Sequence, residues 1–133
     1  MTEHGLITLP SAHSVKDTID RLEAQVKSKG MRVFARIDHA AGAREAGLAL
    51  RPTELLIFGN AKGGTPLMQA NQTIGIDLPL KALAWEDADE RVWLSYNEPA
   101  WLARRHEESA QVADVTGRLA AALAAVAKAA AGE

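Results

Sequence analysis

The stretch that decides the fold reads E-L-L-I-F-G-N-A-K-G-G-T-P-L-M and runs from Glu54 to Met68. It begins within an apolar run, residues 53–58, that is short enough to be a fully buried central strand. A glycine-rich loop follows this strand. Thr65 and Pro66 then predict an N-cap and a first helical position, which start a short helix through about Ala70. The sequence therefore predicts a strand, a loop and a helix whose positive end faces the loop.

Hydrophobic spacing predicts the other elements, because a period of two indicates a strand and a period near 3.6 indicates a helix. On the N-terminal side we expect strands at Gly5–Leu9 and Met31–Ile37, a helix capped by Ser14 and ended by Gly30, and a short helix at Ala40–Ala46. On the C-terminal side we expect extended chain over Thr73–Trp85 with a bend at Leu78-Pro79, a β-hairpin partner at Arg91–Tyr96 across the acidic turn 86–90, a short helix at Pro99–Arg105, and a long helix at about residues 110–131. The order of elements predicts one α+β domain over residues 1–133.

Composition excludes several classes of protein. The chain has 133 residues, of which 47% are hydrophobic and 24% charged, as in an ordinary globular domain. It has no Cys, which excludes disulfides, thiolate catalysis and Cys-ligated metal centres. The net charge of -2 and 5% aromatic content argue against nucleic-acid binding. We see no secretory signal or membrane-spanning helix, so we expect a cytoplasmic protein without membrane partners. We also expect no cofactor and no metal.

Five separate motifs follow one another along the chain. They are V-F-A-R-I-D-H-A-A at 33–41, P-T-E-L-L-I-F-G-N at 52–60, G-T-P-L-M at 64–68, G-I-D-L-P-L at 75–80, and Y-N-E-P at 96–99 with Arg105-His106. Through them the region from about Met31 to His106 resembles the bacterial and archaeal domain-of-unknown-function family 302. The resemblance implies a TATA-binding-protein-like fold of β-α-β4-α type. This fold has a curved, mainly antiparallel sheet, short extra helices and helices on one face, and the resemblance also implies a homodimer. It does not imply DNA binding, since one fold hosts unrelated functions.

The glycine-rich loop is the leading candidate site. Its candidate residues, which combine free backbone amides, a helix dipole and one Lys, are Asn60, Lys62, Gly63, Gly64 and Thr65. Such a loop suits a phosphate or carboxylate, although Lys62 precedes the glycine pair and the spacing is not that of a P-loop. Tight-turn chemistry, with glycines at positive φ and Asn60 in the left-handed region, explains the same residues. We predict a binding domain for a small anionic or polar ligand at Gly59–Thr65.

An enzyme is the rival hypothesis. Asp38 beside His39 could position a general base or a metal, with His106 joining them if folding brings it close. In competing interpretations, Asp38 caps the helix that begins near Ala40, and His106 belongs to a solvated charge cluster. Asp77 interrupts an apolar segment and is a candidate for acid–base work or for a place at a wet edge.

Self-association is the third hypothesis. The Ala-rich C-terminal helix permits close approach of another layer, and the hairpin contributes Trp85 and Trp93. These features would form the contact of an interaction module between two copies of the chain.

Overall fold

The structure is a computed structural model that describes residues 4–108 and 110–132. The strands in these residues are β1 (Leu6–Ser11), β2 (Arg32–Asp38), β3 (Thr53–Gly59), β4 (Leu80–Glu86) and β5 (Val92–Asn97). The α-helices are α1 (Val15–Ser28), α2 (His39–Glu45), α3 (Ala61–Ala70), α4 (Pro99–Arg105) and α5 (Ala113–Ala131). Two 3-10 helices span Gln72–Asp77 and Ala110–Val112.

The strands form one antiparallel sheet in the order β1-β5-β4-β3-β2. The predicted α+β class and the β4–β5 hairpin are both confirmed. Asp87 holds the hairpin turn, because its carboxylate accepts hydrogen bonds from the Trp93 indole and from the backbone amides of Arg91 and Asp89. These bonds, the one from Trp93 foremost, lower the pKa of the Asp87 carboxyl.

The core lies between one face of the sheet and the helices α1 and α5, as predicted for helices packed on one face. Apolar residues at helical spacing turn one side of α1 inward, and alternate residues of the strands turn toward it. The main members of this core are Val15, Ile19, Leu22, Val26, Leu56, Phe58, Leu80, Ala82, Ala84, Leu94, Tyr96, Leu123, Val126, Ala127 and Ala130. Burying each large apolar side chain contributes roughly 1.5–3 kcal/mol.

The helix α5 is held against α1 by both packing and hydrogen bonds. Its small residues allow close approach, and Arg21 of α1 donates to the carbonyl oxygens of Ala129 and Ala130 at 2.9 Å, satisfying acceptors at the helix end. By length and composition, the stretch Ala110–Ala131 is apolar enough to cross a membrane, which the sequence analysis did not expect. Core helices of globular proteins meet the same criterion, and α5 buries Leu123 and Val126 in the core described above.

The predicted start of the third helix is wrong. The helix α3 begins at Ala61, because the side-chain oxygen of Asn60 accepts a hydrogen bond from the Gly63 amide at 2.7 Å and caps it there. Asn60 is extended (φ -145°) rather than left-handed, and the glycine pair is helical. Thr65 and Pro66 therefore lie inside the helix instead of starting it. The segment read as a glycine-rich loop is the first part of a helix.

The predicted extended chain over 73–85 is also wrong in its first part. Gln72–Asp77 is a 3-10 helix, since the side-chain oxygen of Asn71 accepts from the amide of Thr73 at 3.1 Å and from its hydroxyl at 2.8 Å. The bend falls at Leu78-Pro79 as predicted, and that peptide bond is cis. The strand β4 begins only after it.

An ion-pair network ties α1 to the sheet. Arg36 on β2 donates to Asp20 of α1 at 2.6 Å and to Glu54 of β3 at 2.9 Å. Hydrogen bonds from Lys16 first, and then from Arg36, lower the pKa of the Asp20 carboxyl. The network lies beside the core at the β2 edge of the sheet.

Candidate functional site

A pocket of about 260 Å³ opens where β3 ends, α3 begins and the chain enters β4. Its walls are mostly apolar. The larger apolar side chains come from five different elements or connections, and they are Phe34, Met68, Leu78, Pro79, Leu80 and Leu119. The polar side chains in the lining are Asn60 and Thr65, both supplied by the predicted site segment.

Three of the five predicted ligand residues line this pocket: Asn60, Gly64 and Thr65. Gly63 turns toward α5 instead, where an added Cβ would lie 3.1 Å from Leu119 Cδ2. Lys62 is exposed in the first turn of α3 and is not part of the lining. The structure thus gathers most of the predicted set at one cavity, but surrounds it with apolar walls.

Glycines keep the pocket open. A Cβ added at Gly64 would lie 3.5 Å from Leu78 Cδ1 and 3.8 Å from Met68 Cε, which is ordinary contact distance inside the pocket wall. A Cβ at Gly75 would lie only 3.2 Å from Met68 Sδ. The missing side chains at these two positions therefore leave space for a ligand.

Asp38 is the N-cap of α2, as the capping interpretation predicts. Its Oδ1 accepts a hydrogen bond from the Ala41 amide at 2.9 Å. His39 is the first residue of α2 and is exposed to solvent. The Asp38 carboxylate is thus engaged with the backbone of the helix.

His106 is buried, so its placement in a solvated charge cluster is wrong: its exposed fraction is 9%. Its Nε2 lies 2.5 Å from Asp77 Oδ2, and its Nδ1 lies 3.0 Å from the Thr73 hydroxyl. The Asn71 side-chain amide donates to the His106 carbonyl oxygen. Arg105 adds a cation, with Nη1 at 3.0 Å from both Asp77 oxygens. Two of the motif segments noted in the sequence therefore meet here.

The hydrogen bonds of His106 indicate a structural role for this residue rather than activation of the Thr73 hydroxyl as a nucleophile. The Thr73 hydroxyl gives its one proton to Asn71 Oδ1, so it accepts from the imidazole instead of being deprotonated by it. The partners of His106 in the described ranges do not include His39. Across residues 4–108 and 110–132, no group of three or more His, Asp or Glu side chains is arranged to hold a metal ion.

Most of the chain matches the sequence model of one protein family. Residues 7–126 match the family described as Domain of unknown function DUF302. This chain belongs to the DUF302 family. The resemblance noted in the sequence is thereby confirmed, and the match extends beyond the region from 31 to 106 on both sides.

A solved structure shows the same fold. The crystal structure of an uncharacterized conserved DUF302 protein from Bacillus stearothermophilus matches this DUF302 domain with a TM-score of 0.84. The match covers 95% of this chain and 98% of that chain at 20% sequence identity. At this identity the likeness concerns the fold alone.

Longer proteins contain a closely similar stretch. Proteins from Brucella suis biovar 1 and Brucella abortus biovar 1, each named Fluoride-specific ion channel FluC 1, are 62% identical to this DUF302 domain over 104 residues. So is a protein of Brucella melitensis biotype 1 named Fluoride-specific ion channel FluC 2. The match covers 78% of this chain but only 41%, 38% and 38% of those proteins. Their shared stretch is thus a DUF302 region within a longer chain.

Sequence reasoning missed the apolar walls of the DUF302 pocket. Phe34 and Leu119 are distant in sequence from α3, and each reads locally as one apolar residue in a strand or a helix. The signal that was available is Gly75, a glycine in a motif that no turn or positive φ requires. Such a glycine indicates close approach of other atoms.

Proposed function

We propose that this DUF302 domain binds a small ligand with an apolar body and one polar or anionic group, in the pocket at the start of α3. The pocket itself carries this proposal, because it combines apolar walls with the Asn60 and Thr65 side chains. Small-molecule sites commonly have apolar walls and a few polar groups that orient the ligand. The sequence alone predicted a small anionic or polar ligand. The apolar walls of the pocket add the expectation that this ligand also has an apolar part.

The polar group of the ligand belongs at the N-terminal end of α3. The Gly63 and Gly64 amides are already bonded to Asn60, so the first-turn amides of Ala61 and Lys62 are the donors left for a ligand, and the helix dipole favours a negative charge there. Lys62 adds a positive charge in the same turn. A carboxylate on a short alkyl or aryl chain fits these features, with the chain directed toward the apolar walls.

The test fills the pocket with one methyl group. Gly64→Ala places a Cβ against Leu78 and Met68, and should abolish the rise in melting temperature that hexanoate produces in the wild-type chain. Because Gly costs a helix about 1 kcal/mol relative to Ala, the same variant should be as stable as the wild type or up to about 1 kcal/mol more stable. Loss of binding then cannot be attributed to unfolding. Thermal denaturation with and without hexanoate measures both effects.

The matched control is Gly42→Ala in α2, where an added Cβ meets no atom within 4 Å. It should retain the hexanoate effect. Hexanol in place of hexanoate tests the anionic group, since it keeps the alkyl chain and removes the charge. If neither compound shifts the wild-type melting temperature, or if Gly64→Ala responds as the wild type does, the proposal is wrong.

A role beside a fluoride channel is a second candidate, favoured by the names of the Brucella relatives. Fluoride itself does not suit the pocket, because this small ion has no apolar part to contact the walls that make up most of the lining. The domain would therefore serve such a channel without conducting the ion. This role predicts that a strain lacking the gene for this chain grows less well in fluoride, and normal growth would contradict it.

A further inference from the structure

Phe34 is an aromatic residue of the pocket wall that the hydrophobic core does not use. Its side chain lines the pocket and is 50% exposed, so it lies where the pocket meets solvent. The core clusters of the described residues do not include it, whereas its neighbour Val33 packs against the larger cluster. A large apolar side chain that stays half exposed forgoes much of the stabilisation that full burial would give. Packing of the core therefore does not explain a phenyl ring at this position.

A β-bulge places the Phe34 side chain on the pocket side of the sheet. Val33 and Ala35 pair with consecutive residues of β3, so Phe34 is one extra residue in the register of β2. In regular alternation, Phe34 would lie on the opposite face from Val33 and point away from the core. Instead it lines the pocket together with Leu119 of α5, a residue that packs on the core side. Bulges beside functional sites redirect side chains in this way.

Arg32 restrains the Phe34 ring. The guanidinium carbon of Arg32 lies 5.3 Å from the centroid of the ring, which is within the range of a cation–π contact. A ring that is restrained before binding loses less conformational freedom when a ligand packs against it. The positive charge beside the ring also favours the approach of an anionic ligand. Phe34 is thus a pre-oriented aromatic surface at the pocket.

Other parts of the wall also suit an aromatic ring. The Met68 side chain lies near both wall glycines, since its Cε would be 3.8 Å from a Cβ added at Gly64 and its Sδ 3.2 Å from a Cβ added at Gly75. Thioether sulfur makes favourable contacts with aromatic rings, often at the ring edge. The cavity of about 260 Å³ is smaller than the range of about 300–1,000 Å³ that is typical of drug-sized ligands. A single ring on a short chain suits this size.

We propose that the ligand of this pocket is an arylalkanoate, a single aromatic ring on a short chain that ends in a carboxylate, and that Phe34 selects the ring. This inference rests on the proposed function, which leaves the apolar part of the ligand open between alkyl and aryl. The carboxylate lies at the start of α3, and the ring packs against Phe34 in an offset-stacked or edge-to-face arrangement. Such an aromatic pair adds about 2- to 12-fold in affinity beyond the area that it buries.

The test compares two ring carboxylates in the wild-type chain by titration calorimetry. Phenylacetate and cyclohexylacetate carry the same carboxylate on a six-membered ring, but only the ring of phenylacetate is aromatic and flat. The wild type should bind phenylacetate about 2- to 12-fold more tightly, although cyclohexylacetate is the more hydrophobic of the two. Hexanoate, titrated alongside, reports on the proposed function itself.

The variant Phe34→Leu removes the aromatic ring and keeps an apolar side chain. It should bind phenylacetate and cyclohexylacetate equally, and it should still bind hexanoate. The matched control is Ile37→Leu, because Ile37 is a partly exposed residue of the same strand that lies outside the pocket lining. This control should keep the preference for phenylacetate. Circular dichroism establishes that both variants are folded, and the comparison of ligands in the wild type needs no variant.

The outcomes separate this inference from the proposed function. A wild-type chain that binds hexanoate but shows no preference for phenylacetate over cyclohexylacetate overturns the inference and leaves the proposed function in place. A preference that persists in folded Phe34→Leu overturns the role of Phe34. If none of the three carboxylates binds, the proposed function fails together with the inference.

Discussion

Replacing His106 with Ala is expected to lower the free energy of unfolding by about 2–4 kcal/mol. The substitution removes a buried side chain and two hydrogen bonds, one of them to the Asp77 carboxylate. Hydrogen bonds to charged groups are worth about 1.5–3 kcal/mol, and the Asp77 carboxylate left behind remains partly buried. Urea denaturation followed by circular dichroism measures the change.

The control for this substitution is His39→Ala. His39 is exposed at the start of α2, so its loss should change stability by no more than about 0.5 kcal/mol. Equal losses of stability in the two variants would contradict a stabilising role for the buried hydrogen bonds of His106. Combining His106→Ala with Asp77→Asn in a double-mutant cycle isolates the coupling between the two side chains.

The hydrogen bonds of His106 to Asp77 and Thr73 also affect the wall of the pocket. They fix the 3-10 helix Gln72–Asp77, which carries Gly75 into the pocket wall. His106→Ala should therefore weaken hexanoate binding, although the residue does not line the cavity. We regard His106 as a positioning residue for the proposed ligand site.

Replacing Gly5 with Ala is expected to cost about 2–4 kcal/mol. Gly5 has a φ of 73°, which costs an Ala about 1–2 kcal/mol. An added Cβ would also lie 2.4 Å from two ring atoms of Trp101, so the indole must move. Its displacement disturbs the segment just before β1, which the Glu98 amide holds by donating to the Gly5 carbonyl oxygen at 2.7 Å. Thermal and urea denaturation report the loss.

A second glycine separates the two causes. Gly30 has nearly the same φ, 78°, but an added Cβ there meets nothing within 4 Å. Gly30→Ala should therefore show the backbone cost alone, at about 1–2 kcal/mol. If Gly5→Ala costs no more than Gly30→Ala, the close approach of Trp101 has no energetic consequence.

The elements of this fold were predictable where a local pattern decides them. The predicted helix at Pro99–Arg105 has the observed bounds, and Ser14 caps α1 as expected. The start of α3 was predicted wrongly because two candidate capping residues compete for it. Thr65-Pro66 has the strongest helix-start signature, yet Asn60 lies at the end of a buried strand and caps the helix five residues earlier. Local signals do not show which candidate cap the preceding strand brings into position.

The predicted site segment borders a cavity, and the apolar character of that cavity was not predictable from the sequence. The sequence shows a strand end followed by a helix start at Gly59–Thr65, and this segment borders the cavity. Phe34 and Leu119 reach it through tertiary packing that has no local signal. Asp77 and His106 are 29 residues apart in the sequence, and only the packing of α4 beside the 3-10 helix joins them.

The strand order has a consequence for how the chain assembles. The strand β1 is made first, but its partner β5 is made last, and the side chains of Thr8 and Ser95 that meet across the pair are 87 residues apart. Closing so long a loop has a high entropic cost, whereas β4 and β5 need only a short turn. On the ribosome, β1 remains without its partner until nearly all of the sheet has been synthesised. The first strand of the sheet is thus the last to gain its partner strand.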